Sequence, residues 1–225
     1  MTTSNNSTAI IFAGGDTPVT QITQYLPTAQ WIIAADSGLD HALRFGFTPN
    51  VVVGDLDSAS HEGVQHAVAN GVRFETFSAD KDLTDTEIAL DHAVSLGATR
   101  IILVSAGGGR LDHAHGLLAA LFYPEWRHVR IEAFIDTAHV HVLHAHDTLR
   151  VHGEVGSLLA LHAMNGPAHG IETTGLRWSL NDESLSPWAS RGVSNELVDH
   201  TVTISLRTGA LMVLQPEAIS QRSHT

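Results

Sequence analysis

The sequence predicts two domains of different fold class: an α/β domain with a mostly parallel sheet in residues 1–137, and an all-β, sandwich-like domain in residues 138–225. Two observations carry this prediction. In the first part, short β-branched runs alternate with stretches of helical period, which is typical of a parallel sheet covered by helices on both faces. In the second part, short β-like runs follow one another with no convincing helix between them.

The first domain is predicted to contain six strands and four helices. The strands are the apolar, β-branched runs at 9–12, 31–35, 51–53, 72–77, 100–104 and 129–135. The helices are the amphipathic stretches at 39–45, 64–69, 82–96 and 111–122. The third helix is the clearest, because it has one apolar side and ends at Gly97. Asp82 is a candidate N-cap for it, with Thr84 or Asp85 in its first turn.

The second domain is predicted to consist of short strands joined by Gly, Asn, Asp and Pro. These strands are expected at 140–143, 148–152, 157–162, 170–174, 201–206 and 210–214. The change of pattern lies near residues 136–139, where we expect the domain boundary. No linker separates the two patterns, so we expect closely packed domains.

Composition excludes several classes of function. The chain has 225 residues and is 43% hydrophobic, which is enough for a proper core, and it has no cysteine. Disulfides, thiolate zinc sites and iron–sulfur clusters are therefore excluded. No apolar run approaches the ~20 residues of a membrane span, and the N-terminus lacks a signal-peptide pattern, so we expect no membrane association and a cytoplasmic location. A net charge of −12 gives no electrostatic reason to bind nucleic acid.

Acidic and glycine-rich motifs follow the predicted strands of the first domain. They are GGD at 14–16, DSG at 36–38, GDLDS at 54–58, DKDLTD at 80–85 and GGGRLDH at 107–113. Ligands of parallel α/β sheets bind at the carboxyl ends of the strands, so these motifs should meet at one edge. Crowded carboxylates need a counter-charge, and an oxygen-rich site next to phosphate suits Mg²⁺. Taken singly, each motif could be only a turn or a helix cap.

Four histidines at near-alternate positions mark the start of the second domain. They are His139, His141, His144 and His146, and in a strand the first two would share a face, as would the last two. A zinc or nickel site is conceivable there. Without cysteine and with few nearby carboxylates, we favour a solvated sheet face.

Read in order, the motifs resemble the signature of the thiamine pyrophosphokinase family. The matching segments are ADSG at 35–38, GDLDS at 54–58, DKDLTDTEIAL at 80–90, GGGRLDH at 107–113, TGLRW at 174–178 and GVSNE at 192–196. The resemblance spans about residues 9 to 214. It implies an α/β nucleotide domain, a β-sandwich, a homodimer, and Mg²⁺-dependent transfer of diphosphate from ATP to thiamine.

The resemblance also implies roles for individual residues. It makes Asp55, Asp57 and Asp85 the Mg²⁺ ligands, and Asp36, Asp57, Asp85 and Asp112 the catalytic acids. It assigns ATP and its phosphates to Lys81, Thr84, Gly108, Gly109 and Arg110, and thiamine to Trp178, Ser194 and Asn195. In the family the thiamine wall is completed across the dimer interface. Either Asp36 or Asp112 could accept the proton of the attacking alcohol, and the sequence does not choose between them.

Two other functions fit parts of this pattern. One is a Mg²⁺-dependent transferase that acts on a different alcohol, although a non-cationic acceptor has less need of Trp178. The other is a non-catalytic protein that binds thiamine or a nucleotide. Such a protein could dispense with Asp55, Asp57 or Asp85, and this sequence keeps all three.

Overall fold

The computed structural model describes residues 7–77, 82–107 and 109–219. The chain divides into two compact units, residues 1–136 and 137–225. Among the described residues, none of the helices is long and apolar enough to cross a membrane.

The first unit is a six-stranded parallel sheet with helices between its strands. Its strands are β1 (Thr8–Phe12), β2 (Trp31–Ala35), β3 (Val51–Gly54), β4 (Arg73–Thr76), β5 (Arg100–Ser105) and β6 (Arg130–Ile135). Its α-helices are α1 (Gly38–Arg44), α2 (His61–Ala69), α3 (Asp85–Ser95) and α4 (Leu111–Ala120), and there are 3₁₀ turns at Thr20–Tyr25 and Pro124–Trp126.

The strand order in this unit is β4-β3-β2-β1-β5-β6. The chain moves outwards from β1 to β4 and then returns to the other side of β1, so the order reverses between β1 and β5. In sheets of this kind, ligands bind at such a switch point, outside the carboxyl ends of the strands. Residues of the central strands β1 and β5 are almost entirely buried, which holds that edge rigidly.

The second unit is built from antiparallel strands. They are β7 (Ala138–His144), β8 (Thr148–His152), β9 (Leu158–Thr174), β10 (Glu183–Leu185), β11 (Asn195–Glu196), β12 (Thr201–Ser205) and β13 (Thr208–Gln215). The order is β7-β13-β9-β12-β8, with β10 and β11 also pairing with β9. Apolar side chains from these strands form one core cluster, which includes Leu161, Ile171, Leu197, Val202 and Leu211. The predicted fold class, a mostly parallel α/β part followed by an all-β part, is confirmed.

Two predicted elements differ from the structure. Residues 157–162 and 170–174 belong to one 17-residue strand, β9, and not to two strands. Its partner β13 pairs with both halves and shifts register between Thr208 and Ala210, so the bend at Asn165 and Gly166 is taken up as an irregularity within the ladder. The third helix begins at Asp85, and its N-cap is Thr84 instead of Asp82.

The histidine segment also differs from expectation. His139 and His141 do share one face of β7, with ring centroids 3.9 Å apart. However, the expected solvated face is wrong for His141, whose exposed fraction is only 7%. Val140, on the other face, is buried as well, so β7 is covered on both faces around residues 140 and 141.

Candidate active site

Three carboxylates converge at the carboxyl ends of β2 and β3. Asp36 directly follows β2, and Asp55 and Asp57 follow β3. One carboxylate oxygen from each lies within 4.8 Å of the others, which is close enough for all three to hold a single metal ion. The parallel sheet brings them together because neighbouring strands end at the same edge.

The backbone at this edge is held in unusual conformations. Asp36 has φ 52° and Leu56 has φ 64°, in the left-handed region that non-glycine residues rarely occupy. Such conformations cost of order 1–3 kcal/mol each, and they cluster at functional sites. Here they turn the chain so that the side chains of Asp36, Asp55 and Asp57 face one another.

Hydrogen bonds fix the orientation of Asp36. The hydroxyl of Ser58 donates to its Oδ2. Its other oxygen, Oδ1, is buried and accepts no hydrogen bond from the described protein. Because a buried, unpaired carboxylate oxygen is costly, this oxygen is suited to receive a cation.

The fourth acid, Asp85, reaches the same place from α3. It is the first residue of that helix, and its Oδ1 lies 3.0 Å from where a β-carbon on Gly54 would stand. We call Asp36, Asp55, Asp57 and Asp85 the acidic cluster. The neighbouring negative charge of Asp55, and then that of Asp36, raises the pKa of Asp57, and Asp85 adds to the effect. The negatively charged carboxylates of the cluster therefore repel one another, and a bound cation would relieve this repulsion.

Thr84 is occupied by helix capping. Its hydroxyl accepts the backbone N–H of Glu87 at 3.2 Å, and a carboxylate oxygen of Glu87 accepts the N–H of Thr84 at 2.9 Å. This reciprocal pair is a capping box. The side chain of Thr84 therefore caps the start of α3 and fixes the position of Asp85, the first residue of that helix.

The glycine-rich loop after β5 lies at the switch point. Gly109 has φ 85°, and the carboxylate of Asp16, from the loop after β1, lies 3.9 Å from where its β-carbon would stand. Arg110 and Asp112 form a two-pronged ion pair, with Nε–Oδ1 at 3.1 Å and Nη2–Oδ2 at 2.5 Å. The predicted phosphate residues Lys81 and Gly108 lie outside the described residues.

The Arg110 pair controls the protonation of Asp112. The hydrogen bond from Arg110 lowers the pKa of Asp112 to about 2. A group with so low a pKa is a weak general base near neutral pH. Asp112 therefore gains basicity only when Arg110 moves to another anion.

In the second unit, Trp178 stands at a recess of about 420 Å³ that Leu161, Leu180 and Gly192 also line. Its exposed fraction is 56%, so it is not a core tryptophan. The guanidinium of Arg177 lies 5.1 Å from the centroid of the Trp178 ring. The same guanidinium forms an ion pair with Glu196, with Nη1 3.0 Å from Oε2.

Asn195 fixes the backbone of Trp178. Its Oδ1 accepts the N–H of Trp178 at 3.1 Å and that of Glu196 at 2.9 Å, and its Nδ2 donates to the carbonyl of Trp178 at 2.8 Å. The side chain of Asn195 is buried, with 6% exposed. Ser194, next to it, is exposed and has φ 59°. Asn195 therefore serves the recess by holding Trp178 in place.

Sequence reasoning missed the residues that hold the loops of the site. Ser58 bonds Asp36, Ser60 bonds Asp40, and His41 bonds the carbonyl of Gly15. The partners are 20 to 26 residues apart, so no local motif reveals them. Ser60 alone carried a readable signal, because a serine before an amphipathic run is a common N-cap.

Two family profiles cover most of the sequence. "Thiamin pyrophosphokinase, catalytic domain" matches residues 22–135, and "Thiamin pyrophosphokinase, vitamin B1 binding domain" matches residues 141–211. The chain belongs to the thiamine pyrophosphokinase family. The resemblance seen in the motifs is thereby confirmed, as is the prediction that the protein is an enzyme of this kind.

Known members of the thiamine pyrophosphokinase family support the same assignment. The Bacillus subtilis thiamine pyrophosphokinase is 23% identical over 206 residues, which cover 92% of this chain and 96% of that protein. Thiamine pyrophosphokinase 1 of Oryza sativa subsp. japonica is 29% identical over 177 residues, or 72% of this chain and 64% of that one.

Solved structures share the fold of this family member over more than nine-tenths of its length. The crystal structure of the Bacillus subtilis enzyme superposes with a TM-score of 0.82 at 24% identity, covering 93% of this chain and 98% of that one. The Geobacillus thermodenitrificans thiamin pyrophosphokinase gives 0.76 at 28% identity, covering 92% and 96%.

Proposed function

We propose that this enzyme transfers the diphosphoryl group of ATP to the hydroxyethyl oxygen of thiamine, using Mg²⁺ held by the acidic cluster. The observation that carries the proposal is the convergence of Asp36, Asp55 and Asp57 within 4.8 Å at the carboxyl ends of adjacent parallel strands. The alcohol oxygen would attack the β-phosphorus, and the bond from that phosphorus to the oxygen bridging to the α-phosphate would break. The products would be thiamine diphosphate and AMP.

The residues of the cluster fit Mg²⁺. All the donors are carboxylate oxygens, which this hard cation prefers. The free, buried Oδ1 of Asp36 and the raised pKa of Asp57 both favour a bound cation. When bound, Mg²⁺ would neutralise phosphate charge in the transition state. We assign Asp55, Asp57 and Asp85 as its ligands, as the resemblance implied, and add Asp36 because one of its oxygens belongs to the same group and its Oδ1 is free.

The loop after β5 is the proposed phosphate site. Gly109 would let backbone amides approach phosphate closely, and we keep the phosphate-binding roles that the resemblance implies for Gly108 and Lys81. Arg110 would exchange its partner Asp112 for a pair of phosphate oxygens, since a guanidinium binds both anions in the same forked geometry. That exchange would leave Asp112 free to accept the alcohol proton, and Asp36 is the other candidate acceptor.

Trp178 is the proposed thiamine contact. Its half-exposed ring at the mouth of a recess offers an aromatic face to a cationic heterocycle. Asn195 would hold that ring, and Ser194 lies beside it in the sequence. A transferase for an uncharged alcohol would not need this face, and a non-catalytic binding protein would not need four converging acids.

Large apolar side chains on the second unit support the proposed homodimer. Trp188 is 81% exposed, and Val193, Val198 and Trp178 are also exposed, and such side chains would mark an interaction surface where they form one patch. We further propose that the enzyme works in the cytoplasm, where its substrate ATP is made and used.

The deciding experiment is an assay with purified protein. Incubation with thiamine, ATP and Mg²⁺ should give AMP and thiamine diphosphate in equal amounts, detected by chromatography. Formation of ADP and thiamine monophosphate instead would contradict diphosphoryl transfer. Product formed with a different alcohol but not with thiamine would favour the rival transferase.

A further inference from the structure

The acidic loop, residues 55–60, joins the end of β3 to the start of α2 and carries Asp55 and Asp57. Two hydrogen-bonded contacts connect it to the chain around the start of α1. One is Ser58 to Asp36, inside the proposed metal site. The other lies outside it, where Ser60 bonds Asp40. With the Ser58 contact alone, the second half of the loop would be free to move, and the carboxylates of Asp55 and Asp57 would move with it. The contact of Ser60 with Asp40 therefore affects how rigidly these carboxylates are held.

Both carboxylate oxygens of Asp40 accept hydrogen bonds from Ser60. The backbone N–H of Ser60 donates to Oδ2 at 2.8 Å, and its hydroxyl donates to Oδ1 at 2.5 Å. Hydrogen bonds to an ionised acceptor are about twice as strong as neutral ones. The hydroxyl of Ser60 also accepts the N–H of Gly63 at 3.0 Å, so Asp40, Ser60 and the first turn of α2 form one continuous chain.

The packing around Asp40 is close. A β-carbon on Gly63 would collide with Oδ1 of Asp40, so only glycine fits at that position while Asp40 keeps its place. Leu39, next to Asp40 on α1, packs in one apolar cluster with Val52 of β3 and Ala67 of α2. Helix α1 is therefore a fixed support, and Asp40 transmits its position to the acidic loop.

We infer that Asp40 is a positioning residue that sets metal affinity by fixing the acidic loop. It acts from outside the site, since it does not belong to the group of described carboxylates close enough to share an ion, and both of its oxygens accept hydrogen bonds from Ser60. Groups that hydrogen-bond metal ligands directly typically change metal affinity or activity about 10–100-fold when they are removed, and we expect the lower end of that range for Asp40, which acts through Ser60. The inference rests on the proposed Mg²⁺ site.

Two substitutions separate the hydrogen bonds of Asp40 from its charge. In Asp40→Asn, the amide oxygen can accept the N–H of Ser60 while the amide N–H donates to its hydroxyl oxygen, so both links survive without the negative charge. In Asp40→Ala, both links and the charge are lost. If positioning is the role, Asp40→Asn should keep most of the wild-type metal affinity, because weaker neutral bonds still hold the loop, and Asp40→Ala should not. If only charge mattered, the two variants would behave alike.

The control must lower stability without touching these links. Val64→Ala, on α2, removes part of a side chain that packs against the apolar cluster next to the loop, and it leaves Ser60 and Asp40 unchanged. Ser60→Ala serves as a second, milder variant, because it removes the hydroxyl link and keeps the backbone N–H link to Asp40.

The experiment is a titration of the full chain with Mn²⁺, followed by electron paramagnetic resonance, with thermal melts of every variant. We expect Asp40→Ala to bind Mn²⁺ about tenfold more weakly, Ser60→Ala and Asp40→Asn to be intermediate, and Val64→Ala to match the wild type. Equal affinity in folded wild type and Asp40→Ala would overturn the inference alone, as would weakening in Val64→Ala that equals that in Asp40→Ala. Absence of Mn²⁺ binding by the wild type would overturn the proposed metal site itself.

Discussion

Asp57 is the residue of the acidic cluster on which the crowding of carboxylates acts most directly, because the charges of Asp55 and Asp36 raise its pKa. We expect Asp57→Asn to lower kcat by at least about 10²-fold, the usual scale for losing one preorganised charge contact. The free enzyme should be as stable as the wild type or slightly more stable, since one repelling charge is gone. Steady-state kinetics at saturating Mg²⁺ and thermal melts without metal test both parts.

The matched control for Asp57 is Asp91→Asn. Asp91 is an exposed acid on α3, so its replacement changes the net charge equally without touching the acidic cluster. Its kinetics should be those of the wild type. Near-normal activity of Asp57→Asn at saturating Mg²⁺ would contradict the assignment of that residue to the metal.

Trp178 is the second residue whose role can be isolated. Because its side chain is 56% exposed, Trp178→Ala should leave the melting temperature nearly unchanged. It should weaken thiamine binding by about 1–2 kcal/mol, the scale of a lost cation–π contact, and raise the KM for thiamine roughly tenfold. The KM for ATP should not move. Val155→Ala, at a side chain of the same unit with the same exposed fraction, is the control, and an equal effect from both would argue against a specific thiamine contact.

At the scale of elements, the start of α3 links stability to the site. Thr84→Ala removes the capping hydroxyl, which should lower the free energy of unfolding by about 1 kcal/mol. Thr84→Ser keeps the hydroxyl and should retain most of the wild-type free energy of unfolding. Urea unfolding of the two variants measures this difference. An unchanged KM for ATP in Thr84→Ala would contradict the phosphate contact expected from the sequence, and unchanged stability would contradict the cap.

The elements also show how far the sequence could be read. The parallel strands and their acidic ends were predictable, because β-branched runs and the residues after them are local signals. The continuity of β9 was not, since Asn165 and Gly166 favour a turn and only pairing with β13 keeps the strand intact. The hydrogen bonds from Ser58 to Asp36 and from Ser60 to Asp40 were not predictable either, because they join residues 20 or more positions apart.

Site residues divide in the same way. The acidic cluster followed from the strand-end rule, and Trp178 from the family motif. The part played by Asn195 did not follow, because an asparagine beside an aromatic residue is as compatible with ligand binding as with the backbone clamp that the structure contains. Which of these applies depends on where the chain of β11 meets residue 178, and that is a property of the folded unit.

At the scale of the whole molecule, stability should depend on pH through two histidines. Burial lowers the pKa of His41 in the first unit and of His162 in the second below the ordinary value of 6.5. The unfolded chain then binds protons that the folded chain does not. Their contribution is complete above about pH 6.5 and declines as the pH falls below it. We expect the free energy of unfolding to decrease between about pH 7.5 and pH 5.5.

Urea unfolding at the two pH values measures this decrease, and a histidine substitution tests its origin. His162→Gln cannot take up a proton, so its stability should fall less steeply than that of the wild type. His61→Gln, at an exposed position on α2, should keep the wild-type slope. Identical slopes in all three proteins would rule out His162 as a source of the pH dependence.

The whole-molecule question that remains is whether one active site draws on two chains. If the acidic cluster of one protomer works with Trp178 of its partner, a heterodimer of Asp57→Asn and Trp178→Ala subunits contains one site with both lesions and one with none. That heterodimer should recover about half of wild-type activity at limiting thiamine, although each parent is impaired. Differently tagged subunits, purified through both tags, provide the sample, and light scattering confirms its dimeric mass. If each protomer instead used its own Trp178, both sites of the heterodimer would carry one lesion, and its activity would not exceed that of the Trp178→Ala parent.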